Sequence, residues 1–411
     1  MAADASPDVV VIGAGAAGLV AALRAAELGK RTLLLEKNKR PGVKILMSGG
    51  TRCNVTQATD NRGIVRAYAE QGKFLHSALA SLSVQATIAL FEDEGLALKT
   101  EETGKIFPQS DKAADVLAAL LRRLDRSGAE LALNQPVTSI VRDGDAFVVH
   151  AVRGPIRTPR IVLTTGGKSF PGCGTTGDGY AWAAALGHTI VPTRPALVPL
   201  TSMEPWVREL SGLTLPDVEL AIRAGDATLA ARRSSLLFAH FGLTGPAALD
   251  VSRAVTGHAK PSSLAAEIDL LPDFKEAALE EQLREEAAAN GKKQLSVLIS
   301  ASIPRRAADC VLRQAEIPPD RKLAELGKDE RRRLLRGIKR WRIPLSGALG
   351  FEKAEVTAGG VSRDEVDSRT MQSKLVPGLF FAGEVLDLDG PIGGYNFQAA
   401  WSTGWLAGGS V

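Results

Sequence analysis

The chain has 411 residues, 45% of them hydrophobic and 23% charged, and its formal net charge is +4. This length exceeds one ordinary hydrophobic core, so we expect two or three domains. The charge is too small to indicate nucleic-acid binding by itself and is compatible with acidic small-molecule substrates. The three cysteines are widely separated and form no CxxC pair, which argues against a disulfide framework, a zinc site and a dithiol of the glutathione-reductase type.

The first predicted element is a short buried strand at 8–12, followed directly by a glycine cluster and an apolar helix. In such a cluster Gly13 permits a tight turn, Gly15 lets a pyrophosphate approach the backbone, and Gly18 allows the helix to pack closely against the strand. The helix N-terminus offers unpaired N–H groups to phosphates. A second strand ends at Glu36, where an acidic residue would meet the ribose hydroxyls of adenosine. The pattern predicts a dinucleotide-binding βαβ unit and therefore a redox cofactor.

The N-terminal apolar segment resembles a signal peptide or a membrane span only superficially. Asp4 and Asp8 precede it where a signal peptide carries basic residues, and glycines interrupt it. We therefore expect a cytoplasmic protein that does not associate with a membrane.

The later elements predict a cofactor domain that is interrupted by an insert. A glycine-rich loop at 41–54, helical stretches and a hairpin at 137–152 precede a strand that ends in Thr165-Gly-Gly167. Short runs of alternating polar and apolar residues follow, interrupted by prolines, and after them comes a highly charged helical stretch. The last residues resemble the first part of the chain in composition and end in a final helix from about Tyr395. We predict a first part of the cofactor domain at 1–193, a β-rich subdomain at 194–272, a helical subdomain at 273–345 and a second part of the cofactor domain at 346–411.

Five blocks distributed over nearly the whole chain carry a resemblance to a known family. They are Gly42-Val-Lys44-Ile-Leu-Met-Ser48-Gly-Gly50-Thr-Arg52-Cys-Asn54-Val-Thr56, Thr165-Gly-Gly-Lys168-Ser-Phe-Pro171, Gly174-Thr-Thr-Gly177-Asp178-Gly179-Tyr180, Phe238-Ala-His240-Phe-Gly-Leu-Thr-Gly245-Pro246, and Gly383-Glu384-Val-Leu-Asp387 with Gly393-Gly394-Tyr395-Asn396. With these blocks the chain resembles the bacterial flavoproteins often named NAD(P)/FAD-dependent oxidoreductase or aminoacetone oxidase, a family that includes an enoyl reductase of bile-acid 7-dehydroxylation. The Thr-Gly-Asp-Gly block is also distantly similar to fumarate reductase flavoproteins. Met47 and Thr51 stand where isoleucine and glycine are more usual, and neither change affects the expectation of FAD binding.

The resemblance implies an α/β fold in which a split, Rossmann-like FAD-binding domain of the glutathione-reductase type is interrupted by an insert with a β-barrel-like and a helical part. We expect FAD to be bound without a covalent link, and we expect no metal. We expect the FAD contacts to come from both ends of the chain. The predicted cofactor-binding residues are Gly13, Ala14, Gly15, Ala16, Ala17, Gly18, Glu36, Lys37, Lys44, Ser48, Gly49, Gly50, Arg52, Cys53, Asn54, Val137, Thr165, Gly166, Gly167, Gly383, Glu384, Gly394, Tyr395 and Asn396.

Physical chemistry gives several of these residues a specific task. Lys44 and Arg52 would offset phosphate charge, the alternative being a glycine loop with a solvated Arg52. Glu384 would accept hydrogen bonds from the ribityl hydroxyls, the alternative being a surface carboxylate. The N-terminus of the final helix, at Gly394 and Tyr395, would supply N–H donors to the flavin edge where negative charge grows on reduction.

Few side chains are candidates for catalysis. His240 lies beside aromatic residues and could donate a proton or bind a carbonyl group, or it could be a core histidine with satisfied hydrogen bonds. Tyr395 is a second candidate near the flavin ring. Cys53 could be a covalent flavin link or a redox thiol, but a small buried packing residue is favoured because no second cysteine could resolve it. His188 follows a helix and is interpreted as structural.

A basic run from Arg331 to Arg342 alternates with apolar residues at helical spacing, which predicts an amphipathic helix. We expect its cations to form a solvated face and expect no nucleic-acid partner, the alternative being an RNA-binding surface. We predict a FAD-dependent oxidoreductase that reduces a polarised C=C bond of a small organic substrate, or catalyses the reverse dehydrogenation, through flavin N5. The alternatives are an amine oxidase that uses O2 and a flavin-dependent RNA-modification protein. Only one dinucleotide fingerprint is present, so NAD(P)H would have to visit the flavin transiently. The sequence does not indicate an oligomeric state.

Overall fold

The computed structural model describes residues 6–411 and divides into two compact units. The first unit comprises the chain up to Arg194 together with Val356–Val411, and the second is Pro195–Glu355. The chain thus leaves the first unit and returns to it, and the second unit ends ten residues beyond position 345, the predicted end of the insert.

The strands and helices of both units are numbered here in chain order. The strands are β1 (Val9–Ile12), β2 (Thr32–Leu35), β3 (Thr56–Gln57), β4 (Leu98–Thr100), β5 (Lys105–Pro108), β6 (Glu130–Ala132), β7 (Val137–Asp143), β8 (Ala146–Ala151), β9 (Gly154–Thr158), β10 (Ile161–Leu163), β11 (Ile190–Ala196), β12 (Leu200–Thr201), β13 (Thr214–Ala224), β14 (Ala227–Ala239), β15 (Gly242–Thr244), β16 (Ala265–Asp269), β17 (Trp341–Pro344), β18 (Gly347–Ala348), β19 (Val356–Val361) and β20 (Leu379–Phe381). The α-helices are α1 (Ala16–Glu27), α2 (Val43–Thr51), α3 (Asn61–Ala67), α4 (His76–Ser81), α5 (Val84–Glu92), α6 (Ala113–Ser127), α7 (Asp178–Ala185), α8 (Pro205–Glu209), α9 (Pro246–Thr256), α10 (Glu276–Ala289), α11 (Leu295–Ile299), α12 (Arg305–Gln314), α13 (Lys328–Lys339) and α14 (Tyr395–Ser410).

A five-stranded parallel sheet forms the centre of the first unit, with strand order β20-β10-β1-β2-β6. Four of its strands, β20, β10, β1 and β2, are short apolar runs that are buried on both faces, as expected when helices cover a parallel sheet, and the edge strand β6 is partly exposed. Helix α14 packs closely on α1, because a Cβ at Gly404 or Gly408 would overlap a carbonyl oxygen of α1. This arrangement confirms the predicted α/β class with a Rossmann-like parallel sheet.

The second unit contains a seven-stranded antiparallel sheet of order β17-β16-β13-β14-β15-β12-β18. One cluster of buried apolar residues includes Leu220 and Ile268 of this sheet as well as Leu312 and Leu335 of the helices α12 and α13. Strand β17 falls inside the segment 273–345 and pairs with β16. The sheet and the helices of this unit therefore share a core, and a separation into two subdomains remains a prediction.

The predicted glycine-rich loop at 41–54 begins with a helical turn. Helix α2 starts at Val43, and its backbone leaves helical geometry at Ser48, Gly49 and Gly50, the two glycines having φ of 56° and 66°. The apolar residues before Ser48 suit a helix, whereas the Ser-Gly-Gly sequence breaks it. The loop is thus confined to the second half of the predicted stretch.

Within residues 6–411, no single helix combines the length and apolar character that a membrane crossing requires. One bent pair of helical segments, Ala69–Ser81 with Val84–Glu92, meets that criterion by length and composition only.

His188 is a buried structural residue of the first unit. Its Nδ1 lies 3.1 Å from Glu365 Oε2, its Nε2 lies 2.8 Å from Ser373 Oγ, and its ring packs edge-on against Phe381. Burial lowers the pKa of His188 below its ordinary value, so the folded protein holds the imidazole neutral.

We expect this histidine to make folding sensitive to acid. The unfolded chain binds the proton more readily than the folded one, so the stability contributed by neutral His188 is complete above the ordinary pKa of 6.5 and is lost as the pH falls below it. Urea unfolding at several pH values should show a decline below that pH in the wild type and a smaller decline in His188→Gln. Parallel declines in the two proteins would contradict this assignment.

Candidate functional site

The predicted cofactor residues follow the carboxyl ends of four neighbouring parallel strands. Gly13 follows β1, Glu36 follows β2, Thr164 and Thr165 follow β10, and Gly383 lies two residues beyond β20. Because the carboxyl ends of parallel strands meet at one edge of a sheet, these residues lie together at the edge where open α/β sheets bind ligands.

The glycine cluster after β1 has the shape of a dinucleotide cradle. Gly13 has φ of 102°, which favours glycine, and a Cβ there would lie 2.8 Å from the Thr164 carbonyl oxygen. A Cβ at Gly18 would overlap the Gly13 carbonyl oxygen and lie 2.6 Å from Thr164 Oγ1. At Gly15, by contrast, no atom of the described chain lies within 4 Å of a Cβ position. The first and third glycines are therefore required by packing, and the second faces open space at the N-terminus of α1.

Glu36 is fixed beside this cradle. Its side chain is 7% exposed, and its two oxygens accept the backbone N–H groups of Ala14 (2.8 Å) and Asn38 (2.9 Å). The Gln135 N–H donates to the Glu36 carbonyl oxygen, which places the segment before Val137 next to the end of β2. The carboxylate is thus held at the end of β2, the position from which such residues contact adenosine ribose.

A second set of predicted residues forms a hydrogen-bonded network around Glu384. Lys44 Nζ donates to Glu384 Oε2 (2.5 Å) and to Ser169 Oγ (2.7 Å). Glu384 Oε1 accepts from Ser169 Oγ (2.6 Å) and from the Thr357 N–H (2.9 Å). Glu384 is therefore a paired, largely buried carboxylate and not the surface carboxylate of the alternative interpretation.

Two buried polar atoms at this edge have no hydrogen-bond partner in residues 6–411: Asn54 Oδ1 and Thr165 Oγ1. A buried polar atom without a partner is costly, so each calls for a partner from outside the chain. Gly167 leaves no room for a side chain next to the Glu384 network, since a Cβ there would lie 2.6 Å from Thr357 Cβ. FAD carries hydrogen-bond donors and acceptors along its whole length, and these residues fit it.

The C-terminal part of the site is the start of α14. Gly394 has φ of 93°, and a Cβ there would lie 2.5 Å from the Thr56 carbonyl carbon, so β3 packs directly on this helix end. Asn396 ties the preceding loop to the helix, because its Oδ1 accepts from the Gly390 N–H (2.8 Å) and its Nδ2 donates to the Gly390 and Pro391 carbonyl oxygens. Asn396 thus fixes the loop that leads into the helix N-terminus.

The predicted cations do not form one phosphate-binding group. Lys37 pairs with Asp178 at 2.6 Å. Arg52 pairs with Glu101 at 2.6 Å and its guanidinium lies 3.9 Å from the centre of the Phe107 ring. Since Lys44 is bound to Glu384, each of the three has a carboxylate partner. Their contact with cofactor phosphates stays a prediction.

Cys53 is fully buried, and burial raises the pKa of its thiol to about 12. Such a thiol is not a nucleophile near neutral pH, which supports the packing interpretation. Cys173 is also buried, with Sγ 3.3 Å from Met47 Sδ, and burial raises its pKa.

The two predicted catalytic residues lie in different units. Tyr395 begins α14 in the first unit, and His240 follows β14 in the second. His240 is exposed, with its ring edge-on to Phe241 at 5.0 Å between centroids, so the alternative of a core histidine is wrong.

Sequence reasoning missed two residues of the site, Thr357 and Tyr68. Thr357 Oγ1 accepts the N–H groups of Lys168 (2.8 Å) and Ser169 (3.0 Å). Tyr68 is buried and donates from its hydroxyl to the Tyr395 carbonyl oxygen (3.1 Å). Neither lies in a recognisable motif, so no local signal in the sequence could have indicated them.

The parallel sheet, the glycine cradle and the polar network at its carboxyl edge define a FAD-dependent oxidoreductase of the Rossmann type. The chain belongs to the HI0933-like family, since the family model described as "HI0933-like protein Rossmann domain" matches residues 7–410. The predicted resemblance to bacterial flavoprotein oxidoreductases is thereby confirmed.

Similar proteins cover almost the whole chain. The ribosomal RNA dihydrouridine synthase of Escherichia coli (strain K12) is 36% identical over 399 residues, which cover 97% of this chain and 96% of that protein. The 3-dehydro-bile acid delta(4,6)-reductase of Clostridium scindens is 29% identical, with 97% of each chain covered. The solved structure of 3-ketosteroid delta1-dehydrogenase from Sterolibacterium denitrificans is 15% identical with a TM-score of 0.52 and 98% of each chain covered, which shows a shared fold.

Proposed function

We propose that the protein reduces the polarised C5=C6 bond of a uridine in ribosomal RNA to give dihydrouridine. The observation that carries this proposal is the 36% identity, over nearly the full length of both chains, to a protein named ribosomal RNA dihydrouridine synthase. This substrate also satisfies the sequence-based expectation of C=C reduction, because C5=C6 of uracil is conjugated with the C4 carbonyl group.

The chemistry divides between the cofactor and the chain. FAD, when bound and reduced, supplies a hydride, which reaches C6 of the uracil ring. The electron pair of the double bond moves toward the C4 carbonyl, and a proton is then added at C5. NAD(P)H is the proposed source of the hydride, so the balance is one NAD(P)H and one proton consumed for each uridine reduced.

The residues of this chain would bind the cofactor and donate the proton that is added to the substrate. The glycine cradle and Glu36 hold the dinucleotide end, and the network of Lys44, Ser169 and Glu384 meets the ribityl part. His240 is the proposed proton donor or carbonyl-binding group, and its exposure leaves the imidazole accessible to a substrate.

A second candidate function is reduction of a conjugated ketone in a small molecule. It is supported by the 29% identity to a 3-dehydro-bile acid delta(4,6)-reductase, whose name describes the same type of C=C reduction. The two candidates therefore differ in the molecule that carries the double bond and not in the reaction class.

One experiment separates these candidates. The FAD-loaded protein is incubated without oxygen with NADH or NADPH and either ribosomal RNA that lacks dihydrouridine or a conjugated steroid ketone. We expect digested RNA to show dihydrouridine by mass spectrometry. Consumption of the ketone with unmodified RNA would favour the second candidate, and hydrogen peroxide formed from an amine under air would favour an oxidase.

We expect His240→Ala to slow the oxidative half-reaction selectively. Loss of a positioned general acid typically lowers the rate about 10²–10⁴-fold. Reduction of the flavin by NAD(P)H should be unchanged, because that half-reaction needs no proton at the acceptor carbon. Stopped-flow absorbance resolves the two half-reactions, and His258→Ala in the same unit is the matched control. Equal reoxidation rates in wild type and His240→Ala would remove His240 from the mechanism.

A further inference from the structure

A cavity of about 810 Å³ lies in the first unit beside α3 and α5. Its lining includes the polar side chains of Thr59, Asn61, Arg62 and Gln85 together with the apolar Ile88. This volume is within the range of pockets that hold drug-sized ligands, so a nucleobase with its sugar would fit. The mixed lining offers both hydrogen bonds and an apolar wall to a base.

Two arginines without a carboxylate partner lie on α3: Arg62, which lines the cavity, and Arg66, one helical turn further along. Arg62 and Arg66 are both exposed, and they are four residues apart on α3, so they share one face of the helix. In the part of the chain that the structure describes, neither guanidinium has a carboxylate within ion-pair distance. Asp60, which also borders the cavity, is occupied as the helix cap, where its Oδ1 accepts the Gly63 N–H at 2.7 Å. The two positive charges are therefore available to an anion.

The basic run that first suggested an RNA surface is different, because most of its cations are already neutralised. Carboxylates pair with Arg331 (3.4 Å), Arg332 (3.1 Å), Lys339 (2.5 Å), Arg340 (3.3 Å) and Arg342 (2.6 Å). A cation with a carboxylate partner contributes less to phosphate binding, since that pair must first be broken. Among these two groups of cations, the pair on α3 is better suited to bind phosphate.

The cavity adjoins the elements of the cofactor site. Ala58 and Thr59 of its wall directly follow β3, and Thr56 of that strand packs against Gly394 at the start of α14. The opposite wall begins at Ser83, and the carbonyl oxygen of the preceding Leu82 accepts from Ser402 Oγ of α14 at 2.8 Å. A strand of RNA in the cavity would thus lie against the elements that form the C-terminal part of that site.

We propose that this cavity, with Arg62 in its wall and Arg66 one turn further along α3, binds a single-stranded stretch of RNA that flanks the target uridine, with one base in the cavity and two phosphates at Arg62 and Arg66. This inference rests on the proposed RNA substrate. Unstacked bases of single-stranded RNA are the form that protein pockets read, and arginine binds phosphate oxygens through paired donors.

The test measures binding of a fluorescently labelled single-stranded oligouridylate and of ribosomal RNA to the FAD-loaded protein at several salt concentrations. We expect R62Q/R66Q to weaken binding of both RNAs about tenfold and to reduce the slope of log affinity against log salt by about 1.4, the value for two lost phosphate contacts on single strands. Gln85→Trp, which places a bulky indole in the cavity wall and leaves both arginines in place, should also weaken binding. The charge-matched control R332Q/R340Q in the basic run, where both arginines have carboxylate partners, should bind as the wild type does.

Flavin content and melting temperature are measured for every variant, and we expect all of them to match the wild type. Wild-type affinity and salt slope in R62Q/R66Q, in an enzyme that still forms dihydrouridine, would overturn the location and leave the proposed function intact. Weaker binding by R332Q/R340Q instead would move the RNA surface to the basic run and also overturn the location. A wild-type protein that neither binds RNA nor forms dihydrouridine would overturn both proposals.

Discussion

Gly18→Ala should yield a destabilised protein that does not retain FAD. A Cβ at this position would overlap the Gly13 carbonyl oxygen and lie 2.6 Å from Thr164 Oγ1. The first obstacle is backbone, so no side-chain rotation relieves it, and either α1 or the β1 turn must move. Overpacking of a close-packed interior typically costs about 1–3 kcal/mol, and a clash with backbone belongs at the upper end of that range. Urea unfolding and the flavin absorbance of the purified protein measure the two effects.

Gly15→Ala separates cofactor binding from folding. Gly15 has φ of −81°, which alanine tolerates, and a Cβ there meets no atom of residues 6–411 within 4 Å. We therefore expect the stability of the FAD-free protein to stay within about 0.5 kcal/mol of the wild type, as for most surface substitutions. The affinity for FAD should fall, because the added methyl group occupies the space through which a pyrophosphate approaches the backbone.

Gly327→Ala is the matched control for both variants. Gly327 precedes α13 with φ of −67°, and a Cβ there would have only Glu330 Oε2 nearby, at 3.8 Å. It should leave both stability and FAD affinity unchanged. If Gly15→Ala titrates with FAD as tightly as Gly327→Ala does, the pyrophosphate does not lie over the first turn of α1.

The sequence predicted the βαβ entry well because its signals are local. Gly18 is required by the carbonyl oxygen of Gly13, five residues before it, and the strands on either side of the helix are short apolar runs that are buried. Glu36 follows its strand directly, so its position at the sheet edge needed no knowledge of distant residues. The family resemblance then supplied the rest of the cofactor domain, which local patterns alone would not have joined across the insert.

Pairings between distant residues were beyond local reasoning. Lys44 and Glu384 are separated by 340 positions and Lys37 and Asp178 by 141, so the sequence shows their charges but not their partners. A lysine near a phosphate and a lysine bound to a carboxylate look identical in sequence.

The basic run of α13 is a second case in which the sequence shows the charges but not their partners. Its periodicity correctly indicated an amphipathic helix with Leu334, Leu335 and Ile338 on the buried face. Most of the carboxylates that neutralise the cations of the basic run come from other elements, such as Glu280 of α10 and Glu267 of β16. Only tertiary structure distinguishes a neutralised basic face from a free one such as that of Arg62 and Arg66.

Glu384→Ala should both destabilise the first unit and release FAD. The substitution removes the acceptor of Lys44 Nζ, of Ser169 Oγ and of the Thr357 N–H in one step. Exposed ion pairs contribute about 0.2–1 kcal/mol, and breaking a buried pair costs about 3–5 kcal/mol. The side chains of Lys44 and Glu384 are 29% and 19% exposed, so we expect an intermediate loss of roughly 2 kcal/mol in the free energy of unfolding.

Lys44→Met distinguishes a structural role of Glu384 from a role in cofactor binding. This variant removes the ion pair but keeps the carboxylate and its bonds to Ser169 and Thr357. If Glu384 binds the ribityl hydroxyls, Lys44→Met loses part of the stability and still binds FAD, whereas Glu384→Ala loses FAD even at temperatures where it is fully folded. The double variant should be less destabilised than the sum of the single changes, because both remove the same ion pair. FAD titration of the folded proteins decides the question: if Glu384→Ala binds FAD with wild-type affinity, the carboxylate serves only to hold Lys44, Ser169 and Thr357 in place.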